Sequence, residues 1–121
     1  MIEKQQDGRY LLSFECNAII RRVPIPRYGT SKSGRDWSLG SVLVEAYEED
    51  ESASAQLFLI TWDELMIEQI ERLGVGKKVK IKYHLEVKER FDSYNLSAII
   101  DDISLATENE NFLIGKKGEK Q

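Results

Sequence analysis

An all-β domain with one small helix is what this sequence predicts: five strands in a barrel, with the helix between the third and the fourth. Three observations predict it. Lys78 to Lys88 alternates charged and apolar residues over eleven positions, the period of a strand with one buried face. Trp62 to Leu73 alone changes to the three-and-four spacing of an amphipathic helix. Polar, proline-bearing or acidic breaks separate the other β-rich runs. Three strands, a helix and two strands is the element order of the OB-fold, a partly open five-stranded barrel.

Each element follows from its residues. Residues 1–8 are polar, end at Asp7-Gly8, and read as a flexible N-terminus before an OB-fold domain over 9–105. From Arg9 to Val23, the residues Tyr10, Leu12, Phe14, Cys16, Ala18 and Ile20 share one parity, which predicts a long strand with one buried face. Pro24 and Pro26 cannot donate to a ladder and stop it. A flexible turn follows, Tyr28 to Trp37, with Gly29, Gly34, Lys32 and Arg35.

The second strand runs from Trp37 to Tyr47, with Val42, Val44 and Ala46 on one face and Trp37, Leu39, Leu43 and Tyr47 on the other. Both faces are apolar, so one can be core and the other must meet a partner, another part of the chain, or water at some cost. The acidic run Glu48 to Glu51, with Ser52, reads as a solvated hairpin tip. Ala55 to Thr61 is the third strand, with Leu57 and Leu59 opposite in parity to Phe58 and Ile60. Thr61 or Asp63 caps the helix, Gly74 or Gly76 stops it, and its Leu65, Met66 and Ile70 face closes one barrel end.

In the fourth strand Val79, Ile81, Tyr83, Leu85 and Val87 face the core. A turn from Glu89 to Ser93 leads to the fifth, Tyr94 to about Ile103, in which Tyr94, Leu96, Ala98 and Ile100 share a parity. Residues 106–121 read as a polar C-terminal tail, broken only by Phe112-Leu113-Ile114.

The totals narrow the function. The chain has 121 residues, 41% hydrophobic and 31% charged, which suits one ordinary small domain. No apolar run approaches the roughly 20 residues of a membrane span. A single cysteine excludes an internal disulfide and a Cys-rich zinc site, and the reading is a cytoplasmic protein. Net charge is −4, but it is unevenly spread. Residues 1–42 carry seven Lys and Arg against four acids, and 43–76 carry one against nine. The opening hairpin is thus basic within an acidic chain, which permits a polyanion as partner.

Chemistry-bearing alternatives fall away one by one. Gly29 and Gly34 have phosphate-loop spacing, but Arg35-Asp36 and a strand follow where that loop needs Lys, then Ser or Thr, then a helix. His84 alternates with lysines and reads as a surface residue, and Cys16 as a small core residue. Asp63-Glu64 suit a helix start, and Trp62 reads as core. Asp101 and Asp102 fall on opposite faces of a strand. With no nucleophile–base pair, metal cluster or cofactor motif, the expectation is a non-enzyme.

OB-folds bind ligands on strands 2 and 3 and the loops joining strands 1–2 and 4–5. That selects Arg27, Tyr28, Lys32, Arg35 and Trp37 from the first loop, Phe58 with Leu39, Leu43 and Ile60 from the faces, and Lys88, Arg90, Phe91 and Tyr94 from the last loop. Cations would hold phosphates, and Trp37, Phe58, Phe91 and Tyr94 would stack bases.

Gly29 to Trp37, Val42-Leu43-Val44-Glu45 and Leu59-Ile60-Thr61-Trp62 together resemble a family of small bacterial OB-fold proteins, common in Bacteroidetes. These are single-stranded-DNA-binding-like domains whose biochemistry is largely unassigned. The resemblance covers about Cys16 to Leu105 and implies an OB-fold that binds single-stranded DNA. Ser38-Leu39 stand where that family tends to have two lysines, and the tail is not the acidic, Pro-Gly-rich one of replicative single-strand binding proteins. The expected function is non-catalytic binding of single-stranded nucleic acid, ssDNA with low sequence specificity. The alternative is a protein-interaction or homodimerisation module using the apolar face of strands 2 and 3. No membrane partner is expected.

Overall fold

A computed structural model describes residues 2–4, 10–48 and 53–106 of the chain. The strands are β1 (Ile2–Lys4), β2 (Tyr10–Arg22), β3 (Arg27–Thr30), β4 (Asp36–Tyr47), β5 (Ser54–Thr61), β6 (Lys78–Arg90) and β7 (Ser93–Leu105), with α1 (Glu64–Leu73) between β5 and β6. They form one sheet in the order β1-β2-β6-β7-β5-β4-β3. It closes because β2 also pairs with β4, and β5 meets β7 in parallel at Ile60 and Ile99. This is the OB barrel with its single helix, the architecture that the element order predicts.

The core is Ala18, Ile20, Val42, Val44, Leu59, Val79, Ile81, Tyr83, Ile100 and Ile103, with Ile70 from the helix. These are the alternating positions of β2, β4, β5, β6 and β7, so the two-residue period sets which face is inside.

Asp63 caps α1: its Oδ1 accepts from the Leu65 amide at 3.0 Å. Gly74, at a φ of 83°, ends it by donating to the Ile70 carbonyl. The helix plugs the barrel with Met66 and Ile70 of the expected face, joined by Ile67 in place of Leu65. Leu65 is 74% exposed, whereas Ile67 and Ile70 are buried. The reason lies in β4: a Cβ on Gly40 would come 2.5 Å from Ile67 Cγ1, so the glycine opens the slot that Ile67 fills.

Two short strands were not legible. Ile2–Lys4, within the segment read as a flexible N-terminus, pairs antiparallel with Tyr10–Leu12. Arg27–Thr30 pairs with Asp36–Leu39, so most of the turn read between the first two strands is a β-hairpin. The acidic tip at residues 49–52 and the tail from 107 onward lie outside the described residues.

The core ends sooner than the alternation does. Leu12 and Phe14 of β2 and Val87 of β6 are exposed, although their parity matches the core. At 13 residues each, β2, β6 and β7 are about 40 Å long, and they run past the end of the barrel, where no second layer among the described residues covers them. Phe14 instead stacks on Tyr83 within its own sheet, with ring centroids 5.3 Å apart.

Candidate nucleic-acid interface

The hairpin that carries the first-loop residues is held by its own polar groups. The Ser31 amide donates to the Arg35 carbonyl at 2.8 Å, and the Gly34 amide, with φ at 84°, donates to the Ser31 carbonyl at 2.9 Å. Thr30 Oγ1 donates to Asp36 Oδ1 across the hairpin at 2.9 Å. The turn expected to be flexible is therefore closed by hydrogen bonds, and it leaves Lys32 and Arg35 exposed at its tip.

Behind the tip, Gly29 sits opposite Trp37 in register. The Trp37 indole lies against Gly29: a Cβ there would fall 2.7 Å from Trp37 Cε2. Only glycine lets the ring lie down on the hairpin. Trp37 remains 40% exposed. Its other neighbour is Trp62, 51% exposed rather than core, whose ring meets Trp37 at 6.4 Å and 75°, edge to face. The helix starts at Glu64, two residues later than its periodicity indicates, so Trp62 is a linker residue and not part of the buried stripe. Ser38 Oγ donates to the Trp62 carbonyl at 3.2 Å and fixes that linker against β4.

Farther along, Leu43 and Phe58 face each other across β4 and β5. Phe58 is 57% exposed, while Leu39, Leu43 and Ile60 are partly buried. Trp37 to Leu43 is six residues, so the Phe58 ring lies about 20 Å along the sheet from the tryptophans.

Lys88, Arg90, Phe91 and Tyr94 are on the β6–β7 hairpin, which points to the opposite end of this face. The parallel match of Ile60 with Ile99 sends the start of β7 toward the start of β5, whereas Trp37 is beside the end of β5. The structure therefore does not bring the last-loop residues to the tryptophans. Nor do they share one face: Tyr94 pairs with Glu89 and lies on the side of Val87 and Leu96, and Lys88 pairs with Asn95 on the other. Arg90 is placed by its backbone opposite Ser93. Phe91 is fully exposed in a two-residue turn at a φ of 56°, a costly conformation for a bulky residue.

His84 is not a surface residue. It is 7% exposed, with Nδ1 2.8 Å from Asp101 Oδ1 and Nε2 2.8 Å from Glu86 Oε2. A shift of register between Lys82 and Tyr83 leaves Asp101 as the unpaired residue of a bulge, which brings it to the imidazole. Burial lowers the pKa of the ring, but hydrogen bonds donated to both carboxylates, with the charges of those carboxylates, outweigh it and hold the pKa above the usual histidine value. With a carboxylate on each nitrogen, the protonated ring can donate to both at once. The two carboxylates flank the ring from opposite nitrogens, and no metal-binding cluster is formed among the described residues. Cys16 is partly buried as expected, and burial pushes its thiol pKa up.

Exposed apolar surface is concentrated elsewhere than the expected face of strands 2 and 3. Besides the tryptophans and Phe58, it lies on the core-side face of the projecting β2, β6 and β7, at Leu12, Phe14, Val87, Tyr94 and Leu96.

No protein-family model and no curated protein sequence matches the chain. Solved structures do. The mitochondrial single-stranded DNA binding protein Rim1 of S. cerevisiae superposes with a TM-score of 0.57 at 13% identity, over 78% of this chain and 95% of that one. The dimeric N-terminal domain of the PriB protein from Thermoanaerobacter tencongensis gives 0.53 at 18% identity, over 79% and 97%. The second OB-fold domain of replication protein A from Methanococcus maripaludis gives 0.50 at 18%, over 78% and 83%. The fold is thus one shared with single-stranded DNA binding proteins. No helix among the described residues is long and apolar enough to cross a membrane.

Proposed function

We propose that the protein binds single-stranded nucleic acid, ssDNA in the first instance, without reading a defined sequence and without catalysis. One observation carries this: two exposed tryptophans meet edge to face at the foot of a hairpin whose tip presents Lys32 and Arg35. Exposed rings give bases a stacking surface, and the cations give phosphates a contact. The strand would run from this hairpin past Phe58 toward Lys88, Arg90 and Phe91, with Arg27 and Tyr28 flanking its start. Tyr94 would contact the strand only if it passes over the hairpin edge. The OB-fold likeness to single-stranded DNA binding proteins supports the reading.

Titration of tryptophan fluorescence with a dT oligonucleotide of about 20–30 nucleotides, several OB site sizes long, tests it. Saturable quenching that weakens with salt is the expected result, and its absence at low salt removes the proposal. A second reading, a protein-contact or dimer module, is favoured by the exposed Leu12, Phe14, Val87 and Leu96. Sedimentation of wild type and Leu96→Glu distinguishes it: self-association that the glutamate abolishes supports that reading.

A further inference from the structure

Between the β3–β4 hairpin and the start of α1 lies a cleft of about 660 Å³, within the size range of ligand pockets. Its aromatic walls are Tyr28, Trp37 and Trp62, and its polar groups include Asp36, Asp63 and Glu64. No lysine or arginine is among its lining residues. The cations of the hairpin, Lys32 and Arg35, stand outside it at the tip.

This division of charge decides what can enter. A phosphate would be repelled by three carboxylates with no cation among them, so the backbone of a bound strand stays outside with Lys32 and Arg35. What enters is the other end of a nucleotide, the base, which has π-faces for the rings and a hydrogen-bonding edge for the acids. Ionised carboxylates only accept hydrogen bonds. Asp36 Oδ1 already takes one from Thr30 and Asp63 Oδ1 one from the Leu65 amide, yet each carboxylate has about four lone-pair sites. The cleft therefore rewards a base edge rich in N–H donors. Cytosine offers its N4 amino group there, whereas uracil and thymine present a carbonyl oxygen at the same position, lone pair against lone pair.

We propose that the Trp37–Trp62 cleft is a base subsite selective for amino-bearing bases, such as cytosine, over uracil and thymine. This rests on the nucleic-acid reading above and adds a preference at one position along an otherwise permissive strand. Asp36 and Glu64 are the specificity-determining acceptors, because Asp63 is also the helix cap.

The test compares oligo(dC) with oligo(dU), which differ in the C4 substituent and the protonation of N3. Both are titrated at pH 8 and one salt concentration, and tryptophan quenching is read. The expected result is tighter binding of oligo(dC) by about five- to tenfold, the lower end of what a good base-edge pair discriminates. The preference should shrink toward unity in Asp36→Asn/Glu64→Gln. Equal affinities, or tighter binding of oligo(dU), with quenching still dependent on Trp37, would overturn the subsite and leave the nucleic-acid reading standing. Quenching by neither oligonucleotide overturns both, and quenching by a lysine-rich peptide instead would assign the cleft to a cationic side chain of a protein.

Discussion

The rings of Trp37 and Trp62, 25 positions apart in the chain, meet edge to face, and neither is buried. Each indole limits the rotamers of the other, so the pair offers a preorganised surface at little entropic cost. Trp37→Ala is expected to weaken oligonucleotide binding by about 1–3 kcal/mol, the range for loss of one stacked base. Trp62→Ala should weaken it as well, with circular dichroism unchanged in both. Full affinity in both variants would show that the pair has only a packing role.

Lys32 and Arg35 should appear in the salt dependence rather than in base preference. Each phosphate contact on a single strand contributes about −0.7 to the slope of log K against log salt. The double variant Lys32→Ala/Arg35→Ala is expected to flatten that slope by about 1.4. Titrations at four salt concentrations measure it, and an unchanged slope would place the phosphates elsewhere.

His84 predicts an alkaline loss of stability. Its pKa in the folded protein lies above the unfolded value of about 6.5. The stabilisation from its pairing with Glu86 and Asp101 is therefore complete below that unfolded value and disappears as pH rises through the folded one. The same outward face also carries Lys82 and Lys88 on β6, Glu15 on β2 and Asp102 on β7. Melting curves from pH 6 to 9 should show a fall in Tm for the wild type that is reduced in His84→Gln. Parallel curves would mean that the imidazolium contributes nothing to the difference.

Gly40 predicts a stability effect remote from the ligand. Gly40→Ala places a methyl 2.5 Å from Ile67 Cγ1 and should destabilise by about 1–3 kcal/mol, the usual cost of overpacking. Denaturant titration of Gly40→Ala, Ile67→Ala and the double variant should give a combined cost below the sum of the singles, because the smaller side chain makes room for the added methyl. Strict additivity would show that the two residues do not compete for one slot.

Much of the fold was legible because a barrel core needs one parity from each strand, and that parity is visible in Val42-x-Val44 and Val79-x-Ile81. The helix was legible in its period, its Asp63 cap and its Met66 and Ile70 contacts, but not in the burial of Ile67 in place of Leu65, which depends on the absence of a side chain at Gly40 on another element. His84 was misread for a related reason: alternation says which face a residue takes, not that a bulge in the neighbouring strand brings Asp101 to it. Trp62 was misread because a helical period can extend past the helix that it describes. The first-loop cluster could be read from residue types alone. The separation of the last-loop residues from it could not, because it follows from the parallel meeting of Ile60 with Ile99.

The double pairing of β2 has a kinetic consequence. β2 meets β4 from Asn17 to Arg22 and β6 from Leu12 to Ile19, so both halves of the barrel depend on one strand. The match of Ala18 with Val79 joins residues about sixty positions apart, and those two side chains are among the most deeply buried. Until β6 has left the ribosome, Ala18 and Ile20 lack half of their neighbours, and the β2–β4 pair exposes an apolar face. Such non-local closure places folding in the slow class, milliseconds to seconds. During synthesis the first half of the chain thus carries an apolar face that only its second half covers.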